Sequence, residues 1–205
     1  MNTVEYKKVI FSFLGLPASG KGTQSETFAK RKDLKLISIG DLIREEIESE
    51  EEKHPKIDDI KERYETGVPQ EDDVIFDLIR KKMKKIEKGV VFDNFPFSKR
   101  QAELLEELIE SDGWDKPVLI YIDIDPKTAY TRIMNRKICP SCNKVYGVGE
   151  TVCPECGQEL VQRSDDNEET LTNRIELYQP RIEEMLEFFK KYGVVHDIDG
   201  EPSIE

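Results

Sequence analysis

The chain has 205 residues, 36% charged and 37% hydrophobic, with a net charge of −12. That length suits one domain with a small inserted module, and it can bury a real core. The apolar runs (residues 9–11 and 118–122) are far too short to cross a bilayer, and the acidic balance argues against a general duplex nucleic-acid binder.

The first residues hold no apolar run followed by a small-residue cleavage site, so no signal peptide is expected. In chain order, residues 8–14 form an apolar run ending at Gly15, read as a buried strand, and residues 21–32 read as a helix. Residues 35–39 give a second strand. Residues 41–53 give a strongly acidic helix, read as a solvated face with no function of its own. Helices are predicted over 57–66 and 72–88, split by Gly67-Val68-Pro69. A strand follows at 89–93, a helix at 98–111 and a strand at 117–124. Pro126 suits the first turn of a helix reaching residue 137. Residues 138–162 are a Cys-Gly-Pro-rich insert, followed by a long helix over 167–192 and a last strand over 194–198. Five strands separated by helices predict an α/β fold in three layers, with a parallel sheet between helices.

Gly15-Leu16-Pro17-Ala18-Ser19-Gly20-Lys21-Gly22-Thr23 lies between the first strand and the first helix. Gly15 lets the chain leave the strand, and Gly20 and Gly22 let the backbone approach phosphate oxygens. Successive N–H groups and the helix N-terminus then favour an anion. Lys21 supplies a point charge, and Thr23 can orient phosphates or Mg²⁺. The strict phosphate-loop pattern has Ser or Thr directly after the lysine, where this chain has Gly22. An ordinary glycine-rich turn is the plain alternative, which the strand–loop–helix context disfavours. Such a loop serves kinases, ATPases and GTPases alike, but there is no Asn-Lys-x-Asp segment for reading guanine.

Cys139-Pro-Ser-Cys142 and Cys153-Pro-Glu-Cys156 hold all four cysteines of the chain. Two C-x2-C knuckles can give four thiolates to one tetrahedral Zn²⁺, a closed site with a structural role, in a reducing compartment. Disulfides, an iron–sulfur centre and plain reduced thiols are the alternatives. The insert holds few basic residues, which disfavours a nucleic-acid-binding ribbon.

With Gly-Thr-Gln after the lysine, the loop resembles that of the nucleoside monophosphate kinases, and of the adenylate kinase family in particular. The resemblance covers nearly the whole chain. It implies a P-loop core (1–38, 68–137 and 164–205), a helical monophosphate-binding insert (39–67) and a zinc-containing lid (138–163). Gly15, Ala18, Ser19, Gly20, Lys21, Gly22, Thr23, Arg132, Arg136, Val145, Tyr146 and Pro202 match positions that bind ATP. Pro202 belongs to Asp199-Gly200-Glu201-Pro202, beside the donor adenine. The monophosphate is assigned Ile39, Arg44, Val68, Pro69, Gln70, Asn94, Phe95, Phe97, Gln101, Arg163 and Arg174. Arg44 would grip its phosphate and Gln101 would read its base. Arg132 and Arg136, at i and i+4 on a predicted helix, would share a face. Arg163, with Asp165-Asp166-Asn167 behind it, and Arg174 match the arginines leaving the lid.

The activity implied is direct in-line transfer from ATP to AMP, with Lys21, Arg132, Arg163 and Arg174 around the moving group. Asp93 would anchor Mg²⁺ through water. A cytoplasmic monomer acting on free nucleotides is expected, with no nucleic acid or membrane partner.

Several residues depart from the family pattern. Ile39 stands where threonine is usual, Asn94 replaces the glycine of Asp-Gly-Phe-Pro, and Phe97 replaces the arginine after it. Arg100 is a candidate replacement for that charge. Ala18 replaces a loop glycine, acceptable only if its φ is not positive. The family usually continues into a final helix after the last strand, whereas this sequence stops at Glu205. Two other readings follow: a kinase for a pyrimidine or deoxynucleoside monophosphate, and a non-catalytic nucleotide sensor with a disabled acceptor site.

Overall fold

A computed structural model describes residues 8–50, 53–84, 86–163, 166–191 and 194–202. The five predicted strands form one parallel sheet: β1 (Val9–Gly15), β2 (Lys35–Ser38), β3 (Gly89–Asp93), β4 (Val118–Asp123) and, last in the chain, Val195–Asp199, here β7. The spatial order is β2-β3-β1-β4-β7. Its physical basis is visible in β1, where Ile10, Phe13 and Leu14 are buried. Alternate residues point to opposite faces. Ile10 joins a cluster with Val90, Phe92, Leu78 and Ile79, and Leu14 joins one with Leu119, Met185 and Phe189. Phe13 packs on the other side with Ala29, Val91 and Ile122. The sheet therefore lies between α1 (Lys21–Lys32) and the helices α4 (Asp72–Met83), α5 (Lys99–Asp112) and α7 (Glu168–Lys190), giving the three-layer α/β fold.

The chain leaves β1 toward one edge of the sheet and leaves β3 toward the other. This reversal puts a crevice outside the carboxyl ends of β1 and β3, where open α/β sheets bind ligands. Parallel pairing brings Phe13 level with Asp93, and the Asn94 N–H donates to the Phe13 carbonyl at 3.0 Å.

Several boundaries differ from the sequence-based expectation. α2 (Ile39–Glu48) starts two residues early because the Ser38 hydroxyl caps it, accepting from the Asp41 N–H at 3.4 Å. It ends at Glu48, and Glu51 and Glu52 lie outside the described residues. α3 (Ile57–Thr66) matches its prediction, and α4 stops at Met83, where the Ile86 N–H turns back to the Met83 carbonyl at 3.0 Å. α6 (Pro126–Asn135) starts at Pro126 as expected, with Asp125 as its cap, and stops two residues short of the expected end. α7 runs unbroken through Pro180 from its Asn167 cap; Asp165, the predicted end at Tyr192 and the last residues of the chain lie outside the described residues. In the insert, β5 (Lys137–Ile138) and β6 (Val145–Tyr146) make a small antiparallel ribbon that the composition did not reveal. No helix among the described residues is long and apolar enough to cross a membrane.

Candidate active site

An open cleft of about 1240 Å³ lies over the crevice. Its floor is the phosphate loop. Gly15 is required there by space, since a Cβ would meet the Ile122 carbonyl oxygen at 2.5 Å. Gly20 is required by conformation: it caps α1 with φ +93°, which side chains rarely adopt. Ala18 overturns the expectation stated for it, because its φ is +60°. The loop needs a left-handed residue at that place whether or not it is glycine. Alanine there carries about 1–2 kcal/mol of strain. Gly22 and Thr23 open α1 toward the cleft, and Ser19 is buried beneath the loop with no hydrogen-bond partner for its hydroxyl among the described residues.

Lys21 curls back so that its Nζ donates to the Leu16 carbonyl at 3.2 Å. Burial pulls its ammonium down from the ordinary 10.5 to about 8; Asp93 opposes this, while Arg174, Arg136 and Arg163 reinforce it. Cations from three parts of the chain thus crowd one spot, as expected of a site that awaits a highly charged anion. Burial pushes the Asp93 carboxyl up, with Lys21 opposing. Asp93 Oδ2 accepts from Ser38 Oγ at 3.4 Å, while its buried Oδ1 has no partner among the described residues. A carboxylate whose Oδ2 lies against Gly22, which interacts with the Lys21 charge and which keeps one oxygen unpartnered, fits an anchor for a hydrated cation.

Arg132, Arg136, Arg163 and Arg174 all line the cleft, but they are held differently. Arg132 Nη2 donates to the carbonyls of Gly200 at 2.8 Å and Glu201 at 3.0 Å, so the turn after β7 aims it. Arg136 does not share the helical face of Arg132. α6 ends at Asn135, and Arg136 is an extended cap residue. Its guanidinium is gripped on two sides by the buried Asp166, through Nε at 2.7 Å and through Nη2. Arg174 projects from α7 with its guanidinium carbon 5.7 Å from the Tyr178 ring. Val145 and Tyr146 reach the cleft from the insert, and Pro202 lines an adjoining hollow with Ser19, Gly20 and Arg132.

At the other end, Ile39, Arg44, Val68, Pro69, Gln70, Asn94, Phe97 and Gln101 line the cleft. Arg44 pairs with Asp41. Gln70 Nε2 donates to the Ile60 carbonyl at 2.9 Å, leaving its buried Oε1 without a partner among the described residues. Gln101 fastens the loop after β3: its Oε1 accepts from the Phe97 N–H at 2.7 Å and its Nε2 donates to Asp72 Oδ1 at 2.8 Å. Phe95 is the exception. Its side chain is 1% exposed, packs on Phe92 with ring centroids 4.9 Å apart, and is a core residue outside the cleft lining.

The departures at this end acquire structural reasons. Asn94 has φ +69°, so the glycine of the family pattern is replaced by a residue that tolerates the left-handed region better than most. Phe97 is buried against Tyr178. Arg100 does not stand in for the missing charge; it is exposed on α5, 3.7 Å from Glu103, and does not line the cleft. Sequence reasoning missed Arg181, which does line it. Its spacing, seven residues after Arg174 on one helix, was the available signal.

The four cysteine sulfurs lie within 4.8 Å of one another and are unbridged. Cys139 and Cys156 are 3.2 Å apart and Cys142 and Cys153 3.7 Å. A tetrahedral Zn²⁺ with bonds of about 2.3 Å spaces its sulfurs about 3.8 Å apart, so this donor set can hold zinc. Tyr146 seals it, its hydroxyl 3.1 Å from Cys153 Sγ.

The sequence model of the adenylate kinase family, described as "Adenylate kinase", matches residues 13–194. Relatives named adenylate kinase include those of a Geobacillus species (34% identical), Caldanaerobacter subterraneus (32%) and Archaeoglobus fulgidus (31%). In each, the alignment covers 94% of this chain, and 91%, 89% and 91% of the respective relative. With a phosphate loop, an arginine-lined cleft and a match over most of its length, the chain belongs to the adenylate kinase family of phosphotransferases.

Proposed function

We propose that this protein transfers the terminal phosphoryl group of ATP to AMP, giving two ADP. The observation that carries the reading is the convergence of Lys21, Arg132, Arg163 and Arg174 on one cleft that the phosphate loop and the residues assigned to the monophosphate both line. A binding module needs no such clamp, whereas phosphoryl transfer develops charge on equatorial oxygens that fixed guanidinium groups can hold. In this reading the loop N–H groups and Lys21 hold the donor phosphates. Val145, Tyr146 and Pro202 flank the donor base. Arg44 and the turn of Val68, Pro69 and Gln70 hold the monophosphate, and an oxygen of its phosphate attacks the γ-phosphorus in line as ADP leaves. Mg²⁺ bound to the donor phosphates would neutralise their charge, with Asp93 as its anchor.

The structural metal of this reading is Zn²⁺ on Cys139, Cys142, Cys153 and Cys156. Segments 39–67 and 138–163 close over the acceptor and donor and exclude water. The protein acts as a cytoplasmic monomer on free nucleotides. The test is ADP formation from Mg-ATP with a panel of monophosphates. Turnover with AMP well above the others is expected. Preference for a pyrimidine monophosphate would replace AMP as acceptor, and ATP binding without turnover on any acceptor would sink the enzymatic reading.

A further inference from the structure

One cation on the cleft wall has no part in the reaction as described. Arg181 lies on α7, two helical turns beyond Arg174, and its guanidinium carbon sits 5.9 Å from the centre of the Phe97 ring. That ring is a rigid platform: Phe97 is 4% exposed and the Tyr178 ring meets it edge-on at 4.5 Å. The guanidinium packs on this ring, and no carboxylate is paired to it among the described residues. Its Nη1 is buried and has no hydrogen-bond partner among the described residues. A charged N–H group kept from water without an acceptor carries its full desolvation penalty, which an incoming anion would relieve. The surrounding wall identifies that anion. Phe97 belongs to the loop after β3, with Asn94, and its N–H donates to Gln101 of α5; all three line the cleft, and all three are positions assigned to the monophosphate.

We propose that Arg181 binds the phosphate of the acceptor monophosphate, using Phe97 as its platform. This rests on the kinase reading above. The aromatic residue at position 97 then does not leave the acceptor site short of charge: it orients a guanidinium delivered from α7 instead. A planar fork held over a ring can present two N–H groups to one phosphate, a geometry lysine cannot copy.

The test compares the full-length wild type with Arg181→Met, which keeps an apolar stem over Phe97, and with Arg181→Lys. For Arg181→Met, the Kd and KM for AMP should rise at least about tenfold, equivalent to about 1.4 kcal/mol. The KM for ATP and the melting temperature should stay close to wild type, and Arg181→Lys should recover part of the AMP affinity. An unchanged Kd for AMP by calorimetry would overturn the proposal. So would an equal loss of ATP and AMP affinity together with a lowered melting temperature, which marks a structural role. Wild-type protein that binds AMP without turning it over would remove the kinase reading alone, and the Kd comparison would still decide on Arg181. Wild-type protein that binds no monophosphate would remove both.

Discussion

The two segments that flank the cleft are built on opposite principles. In 39–67, Ile39, Leu42, Ile43 and Ile60 belong to the same buried cluster as Ile10, Val90 and Phe92 of the sheet and Leu78 and Ile79 of α4. That segment is an outgrowth of the main core. In 138–163 the buried cluster consists of Cys139, Cys153 and Leu160, with Tyr146 against it. So few apolar side chains cannot offset the entropy of ordering the segment, and the four clustered cysteines beside them are a donor set that can hold a metal. A cover that shares its host's core melts with its host. A segment with its own small cluster can open or unfold while the host stays intact.

The largest expected effect concerns the cleft that residues of both segments line. Lys21→Met should lower turnover by about 10²–10³-fold with the melting temperature nearly unchanged. A tenfold change or less would mean that the covers enclose a site that does not depend on this charge. Next, stripping zinc with a chelator should abolish most activity and expose the lid to protease, leaving the sheet's unfolding transition nearly in place. Loss of the whole fold on chelation would erase the contrast between the covers.

A direct comparison of truncations comes third. Ile60 is 0% exposed, and Ile60→Ala should cost about 2–5 kcal/mol in global stability by denaturant melt. Leu160→Ala, in the zinc-loaded protein, should loosen the lid and leave that global value almost untouched. Equal losses would show the lid to be part of the main core.

The fourth prediction is a pH profile. Lys21 is lowered to about 8, so it is charged below that pH and neutral above it in the nucleotide-free protein. The kcat/KM for ATP should therefore fall as pH rises through about 8, and Lys21→Arg should flatten that fall. The folded state binds fewer protons than the unfolded chain between about 8 and 10.5, so this lysine's contribution to stability rises with pH across that window. The smallest effect is Ala18→Gly. Relief of about 1–2 kcal/mol of left-handed strain, less the added freedom of the unfolded chain, should raise stability by about 1 kcal/mol or less.

Much of this architecture is legible in the sequence, and the errors are instructive. The strand–loop–helix of the phosphate site and the paired cysteine knuckles are contiguous, so spacing alone is enough to recognise them. Ala18 was misjudged because composition shows which residue is present and not which φ the loop imposes on it. Asn94 departs from the family's glycine in the sequence and takes the left-handed conformation that glycine would allow there. Arg136 was placed on a helical face that ends one residue before it, because Asp166 draws it away from the helix. Arg100 is closer to Phe97 in sequence, yet it points to Glu103, while Arg181 from a distant helix covers the ring.

The sequence by itself determined the order of the core strands and helices, the phosphate loop with Lys21, and the four thiols of the insert, since each is set by chemistry within a few consecutive residues. The tertiary structure alone decided which arginines meet and which merely resemble ones that do. Convergence depends on strand order and helix packing, which place side chains far apart in the chain around one crevice. No local pattern encodes the direction in which a guanidinium points.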